Sequence, residues 1–274
     1  MGKFDGILLV SDLDGTLLTN DKRLSEENRE AIDRFVEGGG IFTFATGRTT
    51  YGMRVVLEQY TPATLIECLN GGGIYDPKTG ECLWALQLDD SVEELTAFVR
   101  AEFPNVGIEL CGLYESWCLH KTFLSEFYRE YEKLPCLNVS HRGDADPLVK
   151  IYLYSEADSQ QALADALNAH PLAKRFELVR SGPELYEIMP KDAKKGKGLL
   201  RLADMLGIPR EKTVAIGDND NDLSMIEMAG IGVAVANATP KAKAVADLVL
   251  NVTNDQHAIA VLIDKLDKAV LSKV

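Results

Sequence analysis

Apolar residues along this chain change their rhythm twice. Near the start, Ile7-Leu8-Leu9-Val10 is an unbroken apolar run that stops at Ser11-Asp12-Leu13-Asp14-Gly15. It reads as a short buried strand bounded by turn formers rather than as a helix. A helix is predicted next, with Ser25 as N-cap, Glu26 and Glu27 in the first turn, and a buried stripe of Ala31, Ile32, Phe35 and Val36 before Gly38-Gly39-Gly40 stops it. Ile41–Ala45 then predicts a second strand, residues 49–60 a second helix, and Leu65–Leu69 a third strand. This βαβαβ alternation implies a parallel, doubly wound sheet.

From about residue 84 the pattern changes. A helix (Val92–Phe103) ends at Pro104, and strands Val106–Cys111 and Tyr114–His120 follow, joined by Gly112-Leu113. Helix 123–132, strand Leu148–Tyr154 and helix 158–169 come next. A hairpin is expected from Phe176–Arg180 and Glu184–Met189 around Ser181-Gly182-Pro183. Helix-strand-strand units of this kind predict an antiparallel sheet with helices on one face. Near residue 190 the first rhythm returns, with helix 197–206, strand Thr213–Ile216, a helix after Asp222, strand Ile231–Ala236 and a terminal helix from about 256. The expected fold is therefore α/β: a doubly wound, mostly parallel, Rossmann-like core of residues 1–83 and 189–274, interrupted by an inserted α+β module at 84–188.

Composition narrows the function. The chain has 274 residues, 46% hydrophobic and 26% charged, which is room for one large or two ordinary soluble domains. No apolar run is long enough to cross a bilayer. The opening Met1-Gly2-Lys3-Phe4-Asp5-Gly6 lacks the apolar core of a secretion signal, so a cytoplasmic location is expected. Lys plus Arg number 29 against 42 for Asp plus Glu, a formal charge of −13. That balance argues against general affinity for nucleic acid or an anionic membrane. It also means that a phosphate ligand must be captured by local cations. The five cysteines (Cys68, Cys82, Cys111, Cys118, Cys136) are scattered, as expected of reduced thiols rather than a disulfide framework or zinc site. His120, His141, His170 and His257 are equally dispersed and suggest no triad.

Candidate chemistry gathers at predicted strand ends. The first strand ends in Asp12 and Asp14, the second in Thr46-Gly47, and a later one in Gly217-Asp218-Asn219-Asp220-Asn221-Asp222. A lysine-rich loop, Lys191-Asp192-Ala193-Lys194-Lys195-Gly196-Lys197-Gly198, precedes a helix. Singly, these have plain explanations as turns, helix caps or a solvated loop. Together, at equivalent ends of a parallel sheet where ligands collect, they fit a phosphoryl site. Two crowded acids repel unless a cation sits between them, and hard oxygen ligands suit Mg²⁺. Positioning and charge neutralisation dominate phosphoryl transfer, and an aspartate can serve as its nucleophile if a metal and a lysine offset the repulsion. The hydroxyl of Thr46 and amides of Thr46-Gly47 can hold phosphoryl oxygens. A carboxylate two residues from the nucleophile can protonate the leaving oxygen and later activate water.

Asp12-Leu13-Asp14-Gly15-Thr16, Ala45-Thr46-Gly47-Arg48, Lys195-Gly196 and Gly217–Asp222, in that order, resemble the four motifs of the haloacid dehalogenase superfamily. Their spacing is similar to that of Cof-type phosphatases with a type II cap inserted between the second and third motifs. By that resemblance Asp12 is the expected nucleophile and a Mg²⁺ ligand, and Asp14 the general acid/base with its main-chain carbonyl on the metal. Asp218 completes the metal site, and Thr46, Gly47, Lys195 and Asn221 bind phosphate. Asp222 is expected behind them, orienting Lys195 or a metal-bound water.

The inserted module then corresponds to a cap, with Lys121, Arg142, Lys150 and Arg180 as candidate substrate contacts and Arg48 as another. Tyr114, Trp117 and Tyr128 fall at strand or helix spacing and are expected in its core. Gly71-Gly72-Gly73 is read as tight-turn geometry in preference to a hinge. The expected activity is Mg²⁺-dependent hydrolysis of a small phosphorylated metabolite, sugar phosphate-like, through an aspartyl-phosphate. A phosphomutase of the same superfamily is the alternative, and a phospho-accepting signalling or binding protein a more distant one.

Overall fold

A computed structural model describes residues 2–132, 137–138 and 147–271. Five parallel strands make one sheet, in the order Leu248–Val249, Ile231–Ala234, Thr213–Gly217, Leu8–Ser11, Ile41–Phe44. Leu8, Leu9 and Val10 are all fully buried, which is why their run is continuously apolar: a parallel strand is covered on both faces. Ser11 lies in register with Ile216 on one side and Phe44 on the other. The chain therefore leaves the sheet at one common edge at Asp12, Ala45 and Gly217.

Helix Glu26–Glu37 starts where Ser25 accepts a hydrogen bond from the Asn28 amide, and it buries Ala31, Ile32 and Phe35. Val36, expected in that stripe, is instead 39% exposed. The helix packs against the terminal helix Ala258–Leu271.

The chain divides into two compact units, one formed by Met1–Gly47, Arg54–Trp84 and Lys194–Val274, the other by Arg48–Met53 and Ala85–Ala193. The second contains a six-stranded sheet ordered Phe176–Arg180, Leu185–Pro190, Lys150–Tyr154, Gly107–Cys111, Ser116–His120, Leu137–Asn138. All its pairs are antiparallel except the last. Ile108, Leu110, Ile151 and Leu153 face an apolar core shared with helices Val92–Glu102 and Gln160–Ala169. Alternate positions carry polar groups on the other face, including the buried Lys150–Glu187 ion pair at 2.7 Å and the Tyr154 hydroxyl donating to Glu109 at 2.9 Å.

Four local expectations need correction. The helix predicted over 49–60 is a single turn, Arg54–Leu57. Ahead of it, Thr49 Oγ1 accepts from the Gly52 amide at 3.1 Å, a side-chain bond that competes with helix formation. The third strand is Ile66–Cys68; Leu69 and Asn70 take left-handed φ of 56° and 52° and turn the chain. That strand pairs antiparallel with Gly73–Asp76 and meets the central sheet at a parallel bridge, Ala45 to Glu67. The helix expected from 197 begins at Lys195. Helix Pro240–Val245, capped by Thr239, and edge strand Leu248–Val249 were not expected.

No helix among the described residues is long and apolar enough to cross a membrane. Among the described residues, Cys68, Cys82, Cys111 and Cys118 form no disulfide. Cys136, His141 and Arg142 lie outside the described residues.

Candidate active site

Backbone geometry at the sheet edge fixes the first acid pair. The Asp12 amide still donates to Ile216 O at 2.9 Å, so Asp12 continues the strand ladder. The chain then folds over itself, with the amides of Leu17 and Leu18 both returning to Leu13 O. Gly15 makes this possible: its φ is +88°, and a Cβ there would stand 2.6 Å from Asp218 Oδ2.

Lys195 is the first residue of helix Lys195–Met205 and is fully buried. Its Nζ lies 2.5 Å from Oδ1 of Asp12 and 2.5 Å from Oδ1 of Asp222. Lys194 and Lys197 are exposed. The following glycine explains the close approach, since a Cβ on Gly196 would sit 2.2 Å from Ser224 O on the neighbouring helix. Asp222 is fully buried, and its Oδ2 accepts from the amides of Asp218 at 2.9 Å and Asn219 at 3.0 Å. Both of its oxygens are thus engaged in holding Lys195 and shaping the 217–222 turn.

Burial raises the Asp12 pKa well above the ordinary value; Lys195 opposes the shift, while Asp222 and Asp218 add to it. Asp218 is pushed up to about 6, first by burial and then by Asp222. Burial works against the Lys195 ammonium, but Asp12 and Asp222 outweigh it and hold its pKa above the usual lysine value. Ligand oxygens of Asp12, Asp218 and Asp222 lie within 4.8 Å of one another. One lysine among three crowded carboxylates leaves excess negative charge, and the donors are all hard oxygens. That combination fits a divalent cation.

A second group adjoins through Asn70. The Asn70 amide donates to Thr46 O at 3.0 Å, and Asn221 Nδ2 donates to Asn70 Oδ1 at 2.9 Å. A Cβ on Gly47 would be 2.9 Å from that same Oδ1. Asn70 therefore ties Thr46, Gly47 and Asn221 together, a linking role the sequence reading missed. Its signal was the Asn70-Gly71 pair, which favours left-handed turns.

Glu67 was also missed. Its side chain is fully buried, and neither carboxyl oxygen has a hydrogen-bond partner among the described residues. Burial, Asp222 and Asp12 raise its pKa well above the ordinary value against the pull of Lys195. An acid inside the apolar run Leu65–Leu69 was the available cue.

The remaining candidates make other contacts. The Asp14 carboxylate pairs with Lys22 at 2.7 Å. Asp220 faces outward and pairs with Lys241 at 2.6 Å. Arg48 belongs to the second unit, where Nη1 donates to Gly52 O at 3.2 Å. In that unit Lys121 pairs with Glu126 and Arg180 is exposed. Trp117 is in its apolar core and Tyr128 is partly buried beside Tyr154, whereas Tyr114 is half exposed.

Residues 9–263 match a family model described as haloacid dehalogenase-like hydrolase. A 5-amino-6-(5-phospho-D-ribitylamino)uracil phosphatase of Bacillus subtilis, YwtE, is 30% identical, with 94% of this chain and 97% of the relative covered. A phosphoglycolate phosphatase of Methanopyrus kandleri is also 30% identical, over 94% of this chain and 96% of its own. Among solved structures, a haloacid dehalogenase-like hydrolase from Bacteroides thetaiotaomicron superposes with a TM-score of 0.83 at 29% identity, covering 95% of this chain and 99% of the other.

Proposed function

The chain belongs to the haloacid dehalogenase-like hydrolases and acts on phosphate esters, and from that premise we propose that it hydrolyses a small phosphorylated metabolite through an aspartyl-phosphate on Asp12. The observation that carries this reading is the buried contact of Lys195 with Asp12 and Asp222. A lysine so held neutralises charge at the nucleophile while staying fully ionised.

In the first half-reaction an Asp12 oxygen attacks phosphorus and the bond to the ester oxygen breaks. Asp14 gives its proton to that leaving oxygen. Thr46, Gly47 and Asn221 hold the non-bridging oxygens, with Lys195 offsetting their charge. In the second half, Asp14 takes a proton from the attacking water, the bond from Asp12 to phosphorus breaks, and inorganic phosphate leaves. Asp12, Asp218 and the Asp14 carbonyl are the expected holders of Mg²⁺, which would supply further neutralisation of the phosphoryl oxygens.

Two relatives support the substrate class: one is named for a phosphorylated ribityl compound and the other for phosphoglycolate. Both are small phosphate monoesters. A panel of phosphorylated metabolites, assayed for free phosphate with and without a chelator, tests the reading. Turnover that survives Asp12→Asn at the original rate refutes it, and transfer of phosphate to another sugar hydroxyl without net release makes the protein a mutase.

A further inference from the structure

We propose that Lys22 is a positioning residue for Asp14, an inference that rests on the acid/base role given to Asp14 above. Lys22 Nζ lies 2.7 Å from Asp14 Oδ1. The side chains are 43% and 36% exposed, so the pair contributes little to stability. Its backbone is nevertheless costly. Lys22 has a φ of 61°, a left-handed conformation that glycine or asparagine adopts with less strain.

The surrounding turn forces that conformation. Lys22 N donates to Thr19 O at 2.9 Å, Thr19 N donates to Arg23 O at 2.9 Å, and Gln59 Nε2 donates to Lys22 O at 3.0 Å. The turn is itself anchored to the distant 254–255 segment. Asn20 N donates to Asp255 Oδ1 at 2.8 Å, and Asn254 Nδ2 donates to Asn20 Oδ1 at 3.2 Å. Strain retained by so many constraints is characteristic of functional positions. Here it delivers one ammonium to one carboxyl group.

The consequence is orientational. An aspartate on a partly exposed turn samples several rotamers, whereas the leaving oxygen needs its proton from one direction as the phosphorus–oxygen bond breaks. Lys22 holds the Asp14 carboxyl in one of them. Leaving groups that depart as alkoxides need that proton; nitrophenolate departs without it.

The test compares glycerol 3-phosphate with p-nitrophenyl phosphate, both assayed for phosphate release by the Mg²⁺-supplemented full chain. In Lys22→Met the ratio of kcat for the alkyl ester to kcat for the aryl ester falls about tenfold, a part of the roughly hundred- to ten-thousand-fold contribution of a positioned proton donor. Lys22→Arg recovers most of the ratio. In an Asp14→Asn background, adding Lys22→Met lowers the ratio no further. Equal loss of both rates in Lys22→Met, or a ratio that stays or rises, overturns the proposal. If Asp14→Asn alone leaves the ratio in place, the acid/base reading itself falls, and this inference with it.

Discussion

Thr16 Oγ1 donates a hydrogen bond to Asp218 Oδ1 at 2.9 Å, joining residues 202 positions apart in sequence. Thr16 is fully buried, and the bond favours the charged form of Asp218. It restrains the Asp218 carboxylate at the sheet edge. Thr16→Val removes the donor at nearly constant volume. Its affinity for Mg²⁺, measured by titration calorimetry, is expected to drop about 10- to 100-fold, the usual cost of losing an orienting partner. Unchanged affinity would mean that Thr16 only packs.

At the proposed Mg²⁺ site, protons and the cation would compete for the same oxygens. With Asp218 raised to about 6 by burial and Asp222, that one carboxyl is protonated below that pH and charged above it. Mg²⁺ affinity is therefore expected to weaken as pH falls through about 6. A Kd that is flat across that window contradicts this assignment of Asp218.

Glu67 makes the stability of the fold depend on pH. Burial raises its folded-state pKa, so folding favours the protonated form. That stability is fully present below the unfolded pKa and is lost as pH rises through the folded one. Glu67→Gln keeps the shape and removes the ionisation. The variant is expected to melt higher than the original chain in alkaline buffer, with the advantage shrinking toward acid. A variant that melts lower at every pH would show that the carboxylate is stabilising.

Removing Lys195 strands two buried carboxylates. Lys195→Met should cost about 3–5 kcal/mol in urea unfolding, because breaking a buried pair leaves uncompensated charge. Adding Asp222→Asn should return part of that loss, since one stranded charge disappears. No recovery in the double variant would place the damage in packing rather than electrostatics.

Gly198 sits under Glu67. A Cβ there would approach Glu67 Cδ and Gly71 Cα, each at 2.6 Å. Gly198→Ala gains up to about 1 kcal/mol of helix propensity. Against that stands overpacking, typically about 1–3 kcal/mol. With Gly71 backbone as one of the obstacles, the clash should prevail, and the melting temperature falls. A rise would mean that the helix shifts freely.

Legibility followed the range of the forces involved. Strand Leu8–Ser11 and its terminal acids were readable because an apolar run and a turn are local patterns. The 49–60 segment misled for the same reason: its composition suits a helix, but Thr49 and Gly52 divert the backbone into turns, and Arg48–Met53 packs with residues 85–193. Sequence context alone left Lys195 hard to separate from Lys194 and Lys197.

What the chain order determined unaided was the alternation of elements and the kinds of side chain that close each strand. Folding decided which of them meet. The parallel register brings Asp12 and Asp218 to one edge, the glycines at 15 and 196 permit the approach, and burial sets the ionisation of Glu67, Asp12 and Asp218. Proximity and dielectric environment arise between segments far apart in sequence, so no local pattern encodes them.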